Sequence, residues 1–401
     1  MYRSRAVVLG AGIVGAACAR ELARAGFEVV VVDRGGPAGA TSSHGEGNIL
    51  VSDKGPGPEL ELAVLSRRLW PDALAEIGQR HPERAAAAEW IPKGGIVVAT
   101  TDEGARALSG FADEQRAAGV RAERLGSAAL LAAEPHLTPA HTAAVHYPDD
   151  AQVQPAGAAA ALLADALDRG AELRTGCEIT GAVVRDGCLT GVRHRDATGE
   201  GTLGGDLFVN AAGPWAGRLG ALLGAPVHVE PRRGDVLVTS PLPPTVFHKV
   251  YDADYVGAVG SSAEDLQTSA VVESTLAGSV LIGSSRRRVG FDARLRPEAL
   301  SAVARKALRL FPSLAGVPVM RAYGGFRPYV PDHLPVIGAD PRLPGLWHAT
   351  GHEGAGIGLS AGTGLLLAEL VTGRQPSLDP APFRVDRPAV TDADGKEEEH
   401  A

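Results

Sequence analysis

The first residues able to do chemistry form a short turn near the start of the chain. Gly10-Ala11-Gly12-Ile13-Val14-Gly15 is a GxGxxG run, and Asp33 lies eighteen residues past its last glycine. Gly10 permits a tight turn, Gly12 lets the backbone approach a pyrophosphate, and Gly15 lets the following helix pack close to the strand. Backbone N–H groups at the helix start would face the phosphates, with the helix dipole behind them. Asp33 would accept hydrogen bonds from a ribose. Far along the chain, Arg327 stands between Gly325-Phe326 and Pro328. A guanidinium fork there can grip a carboxylate through two parallel hydrogen bonds. A structural pairing with Asp332 is the other reading of that arginine. His44 and His352 lie in Gly-rich segments, and Tyr251 and Tyr255 lie in Lys249-Val250-Tyr251-Asp252-Ala253-Asp254-Tyr255. Alternation puts 251, 253 and 255 on one face of a strand, where Tyr255 could meet a substrate.

These residues need a frame. Residues 5–9 read as a short buried strand, 13–25 as a helix closed by Gly26, and 28–32 as a second, valine-rich strand ending at Asp33. Together they make a βαβ unit, so the sheet starts parallel. Residues 58–79 form an amphipathic stretch expected to be helical at least to Trp70. Residues 155–169 form an Ala/Leu-rich helix with Gly170 as its stop. Residues 177–209 read as strands turning at Asp186-Gly187 and Thr198-Gly199. From 227 to 284, short apolar runs separated by turn signals suit an antiparallel sheet. After Arg327 the parallel character returns, and 354–372 is the final helix. The expected fold is α/β: a discontinuous Rossmann-like domain from residues 1–85, 150–225 and 327–375. An inserted antiparallel β-rich substrate domain takes 86–149 and 226–326. The acidic stretch 388–401 reads as a disordered tail.

Composition narrows the class. The chain has 401 residues, 45% hydrophobic and 21% charged, with a formal charge of -8. That balance gives no support to nucleic-acid binding, which needs clustered Lys and Arg. Arg286-Arg287-Arg288 reads as solvated surface. Cys18, Cys177 and Cys188 show no CxxC pair and no metal-ligand spacing, so no metal is expected and a reduced cytoplasmic setting fits. The apolar run at residues 6–9 is broken by glycines and is too short for a signal segment or a membrane span.

The fingerprint alone does not separate FAD from NAD. An NAD dehydrogenase would keep its six-strand nucleotide fold contiguous near the N-terminus. This chain instead spends residues 34–55 on a polar, Gly-rich segment and returns to Gly-rich chemistry at Gly354, Gly356 and Gly358. A ligand long enough to touch both regions is better matched by FAD.

Several ordered segments carry a family resemblance over about residues 5–375. They are the fingerprint through Asp33-Arg34; Thr41-Ser42-Ser43 through Gly47-Asn48; Val209-Asn210-Ala211-Ala212-Gly213-Pro214-Trp215; Gly324-Gly325-Phe326-Arg327-Pro328 through Gly338; and Gly351-His352-Glu353-Gly354-Ala355-Gly356-Ile357-Gly358-Leu359. The sequence resembles the FAD-dependent D-amino acid oxidases, glycine oxidases and sarcosine oxidases. Within them it looks closest to bacterial amino-acid dehydrogenase-like members such as the flavin subunit of D-hydroxyproline dehydrogenase. The resemblance implies that Ser42, Ser43, Gly47 and Asn48 run beside the flavin and that Ile179 meets the adenine. It places Ala211, Ala212, Gly213 and Trp215 along the FAD. Gly356, Ile357, Gly358 and Leu359 would offer N–H groups to the flavin N1–C2=O edge. His44 matches a region where some relatives attach flavin covalently, but its flanking residues differ, so non-covalent FAD is expected.

The implied activity is oxidation of a small amino acid or secondary amine acid: a D-amino acid, glycine, sarcosine or a proline-like acid. Hydride would pass from Cα–H to flavin N5, leaving an imine that hydrolyses, with Arg327, Tyr255, His352 and His44 as the site. Oxygen or another acceptor would take the electrons. Two alternatives stand beside this: a flavin subunit passing electrons to partner chains, and an NAD(P)H-dependent flavin monooxygenase or reductase. No second complete GxGxxG supports the latter.

Overall fold

The structure, a computed structural model, describes residues 4–253 and 261–391. Strand β1 (Arg5–Leu9), helix α1 (Ile13–Arg24) and strand β2 (Glu28–Val32) open the chain as the sequence predicts. They seed a six-stranded sheet in which β1 is flanked by β2 and by strand Leu207–Asn210. Beyond these lie Glu172–Arg174 on one side and Leu346–Thr350 then Val336–Ala339 on the other. Pairing is parallel except at the edge strand Val336–Ala339.

The sheet is buried on both faces, and period-two alternation sorts its side chains. Ala6, Val8, Val29 and Val31 point to one core, shared with α1 and the helix Pro155–Asp168. Val7, Leu9, Val30 and Val32 point to the other, shared with Cys177, Leu189, Val192 and Leu203. Those last residues belong to, or adjoin, a three-stranded antiparallel meander built from Glu178–Arg185, Cys188–Asp196 and Gly199–Gly204. Each buried valine side chain contributes about 1.5–3 kcal/mol, which explains why a five-residue run such as Glu28–Val32 holds as a strand.

A second, eight-stranded sheet collects strands from two stretches of chain. Its order is Val319–Tyr329, Glu230–Thr239, Val280–Arg286, Gln267–Ser274, Lys249–Asp252, Gly95–Ala99, Ala143–Tyr147 and Glu123–Arg124. It is antiparallel apart from the pairing of Lys249–Asp252 with Gly95–Ala99. Its first strand runs on through Tyr329, so the boundary expected at residue 327 falls inside it.

Helix α2 (Pro58–Gly78) continues through Pro71, well beyond Trp70. A proline inside a helix costs about 3 kcal/mol, and burial of Ala73, Leu74 and Ile77 beyond it offsets that cost. The helical run Glu353–Thr372, whose α-helix α3 covers Gly356–Thr372, is long and apolar enough to cross a membrane by composition, but α3 is a core helix packed between α1 and α2. The expected tail begins too early. Pro388–Thr391 is a helical turn whose Val390 is buried against Val227 and Val229, and His228 N donates to Val390 O at 2.7 Å.

Candidate functional site

A cavity of about 1160 Å³ opens between the carboxyl ends of the parallel strands and the eight-stranded sheet. Residues from position 9 to position 357 line it. Such a crevice is where an open α/β sheet binds its ligand. Gly10, Gly12, Ile13, Val14, Asp33 and Arg34 form one end. Gly10 has φ +124°, and a Cβ on it would lie 2.5 Å from Ala211 O. A Cβ on Gly15 would drive straight into Gly10 O. Gly15 therefore does not line the cavity but lets α1 sit against the turn. Ser42 Oγ accepts from Ile13 N at 3.0 Å, which satisfies one of the orphan helix donors. Asp33 Oδ2 accepts from Ala11 N at 2.8 Å and Oδ1 from Gly35 N at 2.7 Å. The carboxylate is thus held rigidly, and each oxygen retains a lone pair for a ribose hydroxyl.

Past the Gly10 turn the cavity is walled by Gly176, Cys177, Glu178, Ile179, Arg195 and Asp196. Ligand atoms of Cys177, His194 and Asp196 come within 4.8 Å of one another, a convergence that the meander makes and sequence spacing hid. Asp196 Oδ1 already accepts from Thr198 N and Oγ1. Along the middle, Ala211, Ala212, Gly213 and Trp215 line the cavity. Trp215 stacks on Phe291 with ring centroids 5.2 Å apart, Arg34 lies 4.3 Å over Trp215, and Arg218 lies 4.1 Å over Phe291. Phe291 meets Phe326 edge-on at 5.3 Å, so this stack joins the two sheets. Arg218 and Phe291 had no sequence signal beyond their residue types.

At the far end, Thr41, Ser42, His44, Glu46 and Asn48 face Phe326, Arg327, His352, Gly354, Gly356 and Ile357. Thr41 Oγ1 donates to Phe326 O at 2.7 Å and ties the two walls together. Helix α3 starts here with no side-chain cap, so its positive end faces the cavity. Ser66 Oγ at 2.5 Å and Trp70 Nε1 at 3.3 Å both donate to Gly358 O and fix that start. Asn48 Oδ1 and Glu46 Oε1 are buried without a hydrogen-bond partner. Uncapped helix donors, unpaired buried acceptors and a glycine turn with no room for Cβ together fit the ring system and pyrophosphate of FAD.

The structure divides the expected site residues. Ser43 is exposed and donates to Ala40 O at 3.0 Å, because the 3₁₀ turn Thr41–His44 sends Ser42 inward and Ser43 out. Gly47, Gly358 and Leu359 are buried beside the cavity without lining it. Tyr251 is fully buried away from it, where its hydroxyl meets Ser52 and Asp150. Tyr255 lies outside the described residues. Arg286, expected on the surface, is 3% exposed. Asp332 is taken by Arg387 at 2.8 Å, whereas Arg327 lines the cavity and donates through one NH to Ser285 O at 2.9 Å. His44 Nδ1 donates to Ala40 O at 2.7 Å. Glu46 went unnoticed in the sequence, although an acid flanked by two glycines in this segment was a usable signal.

His352 is buried, and Thr363 fixes its tautomer. Thr363 Oγ1 donates to Leu359 O and therefore accepts from His352 Nε2–H at 2.9 Å. Burial pushes the imidazole from 6.5 down to about 3, so the ring is neutral at ordinary pH. A histidine held neutral in the fold stabilises it fully above pH 6.5, and that share is lost as pH falls towards 3. At pH 4.5 the loss amounts to about 2–3 kcal/mol. Melting curves at pH 7 and 4.5 are expected to separate less for His352→Gln than for the parent. Equal separation would refute the assignment.

Residues 5–370 match the family described as DAO, FAD dependent oxidoreductase. The chain is 32% identical over 393 residues to a glycine oxidase of Geobacillus kaustophilus, covering 96% of this chain and 97% of that one. It is 28% identical to the hydrogen cyanide synthase subunit HcnC of Pseudomonas aeruginosa, covering 95% of each. The crystal structure of glycine oxidase from Geobacillus kaustophilus superposes with a TM-score of 0.84 at 28% identity, covering 96% of this chain and 99% of that one.

Proposed function

Because the chain belongs to the DAO family of FAD-dependent oxidoreductases and acts with FAD on amino acids or amines, we propose that its substrate is a small amino acid or secondary amine acid anchored by Arg327. The observation that carries this reading is the placement of Arg327 in the same cavity as the Gly10–Gly12 turn and the start of α3. FAD, when bound, supplies the two-electron acceptor. The protein's own work is positional. Arg327 grips the carboxylate and orients Cα–H, while neutral His352 adds no competing charge. The uncapped start of α3 stabilises negative charge nearby. Gly10, Gly12, Ile13, Val14, Asp33, Arg34, Ala211, Ala212, Gly213 and Trp215 hold the dinucleotide non-covalently, and Ile179 faces the adenine. The imine product then hydrolyses to a keto acid or leaves as a cyclic imine.

Anaerobic addition of glycine, sarcosine, D-amino acids and proline analogues at millimolar concentration tests this. At least one is expected to bleach the flavin absorbance. If none does and a chemical reductant succeeds, the substrate class is wrong. Admitting oxygen afterwards reports the acceptor.

One relative is a subunit of hydrogen cyanide synthase, which favours a second reading in which electrons pass to partner chains. Turnover by the isolated chain would remove it. Cys18, Cys177 and Cys188 are free thiols, which supports a cytoplasmic setting.

A further inference from the structure

Among the described residues, Glu46 and Glu353 are the acids that line the Arg327 end of the cavity. Glu353 is taken by Arg232 at 3.1 Å and His333 at 2.6 Å, which leaves Glu46, held by a tightly anchored loop. Gly47 has φ +84°, and a Cβ on it would strike Val153 O, whose residue also donates its N–H to Gly47 O at 3.0 Å. Tyr323 OH donates to Gly45 O at 3.4 Å on the other side. Between these anchors the Glu46 side chain is driven against Gly283, where even a Cβ would not fit. Glu46 is 7% exposed and lines the cavity; Asn48 gives its carboxylate a side-chain hydrogen bond, while Oε1, packed against Gly283, has no hydrogen-bond partner among the described residues.

A buried carboxylate is costly unless donors and cations compensate it, and one that also lines a cavity keeps lone pairs for a donor that enters there. The groups facing Glu46 are Lys249, Arg327 and Arg286, with Tyr323, His44 and Asn48 nearby. Burial pushes its carboxyl above the usual carboxylate range, and the three cations with the hydrogen bond from Asn48 offset only part of that rise. Lys249 is already engaged by Glu273, in an ion pair buried on both sides. Arg327 suits the carboxylate of a substrate, and Glu46 beside it suits a donor of N–H bonds. An α-amino acid carries both groups two bonds apart on one carbon.

On the reading that the site oxidises an amino acid, we propose that Glu46 receives the substrate's ammonium group beside Arg327 and takes its proton. One N–H bond breaks, an O–H bond forms on Glu46, and the nitrogen keeps the electron pair. That pair becomes the C=N bond as the Cα–H pair departs to FAD, and Glu46 releases its proton to water as product leaves. The substrate class is therefore an α-amino or α-alkylamino acid in its ordinary zwitterionic form.

The test compares the parent with Glu46→Gln and Glu46→Asp, each loaded with FAD. Two readouts are needed: the anaerobic flavin-reduction rate from about pH 6 to 10, and binding of glycolate, a carboxylate without an amine, by flavin absorbance. Glu46→Gln is expected to slow reduction about 100-fold at pH 7 and to recover most of it near pH 10, where the free substrate is already deprotonated. Glycolate affinity should stay within about twofold, since Arg327 is untouched. Glu46→Asp should keep the shape of the parent's pH profile at a reduced rate. A Gln variant that matches the parent at pH 7, or is equally slow at every pH, overturns the proposal. If the Gln variant loses FAD, the Asp profile decides: a parental shape supports the proposal, and recovery only at high pH overturns it. If no amino acid reduces the parent, the underlying reading fails as well. If amino acids reduce parent and variant alike, only the role of Glu46 fails.

Discussion

Arg327→Met is expected to lower kcat/KM for a carboxylate-bearing amine by about 10²–10³-fold while FAD content stays unchanged. Removing one partner of a desolvated charge pair costs about 2–5 kcal/mol, much of it the penalty of leaving the other charge unpaired. Here the unpaired charge is the substrate carboxylate, so the loss belongs to substrates that carry one. An amine without the carboxylate should fall by far less. Arg327→Lys restores charge but not the fork, and is expected to recover only part of the loss. Paired measurements on an amino acid and its decarboxylated amine check this. Equal losses on both would mean that the arginine holds the sheet and not the substrate. Its NH donation to Ser285 O and its position opposite Arg232 in the paired strands make that alternative concrete.

Gly15→Val is expected to give protein lacking the yellow colour of bound flavin. Its side chain would enter space filled by Gly10 O, and α1 would have to lift away from the turn. The N–H groups of Gly12 and Val14 would then no longer converge on the pyrophosphate. Overpacking of this kind costs about 1–3 kcal/mol in the fold and more in a site that needs fixed donors. FAD affinity should fall by about 100-fold or more, read by titrating the apoprotein. A variant that keeps full FAD occupancy would show that the close approach is dispensable. The contrasting change, Ser43→Ala, should leave affinity within about twofold, because Ser43 faces solvent and its hydroxyl bonds Ala40 O and His44 Nδ1.

The parts of the site legible in sequence were those whose chemistry is local. A glycine turn, a valine strand and an acid at its end need only near neighbours to take shape, so Gly10 through Asp33 stand where the pattern placed them. What stayed hidden depends on distant packing or on the fine rotation of short elements. Ser42 and Ser43 differ because a single 3₁₀ turn separates them by about a third of a revolution. Gly358 and Leu359 rotate behind the first turn of α3, although Gly356 and Ile357 face the cavity. Arg286 reads as one of three surface arginines, yet it ends a strand with six of seven residues buried. Tyr251 follows the alternation that sequence suggests, but that face turns toward Asp150 and not toward the cavity. Glu46 needed the whole loop, since only its glycine neighbours fix where it points.

The cavity wall begins at the glycine turn and closes with the start of α3, nearly the full length of the chain later. During synthesis, the phosphate-binding end emerges from the ribosome long before the flavin-facing end exists. The early βαβ unit has its apolar faces uncovered until the helix Pro155–Asp168 and the meander follow, and its crevice has no opposite wall until α3 exists. Cofactor capture therefore waits for α3, and a chain ended before it would lack the wall that faces the flavin ring.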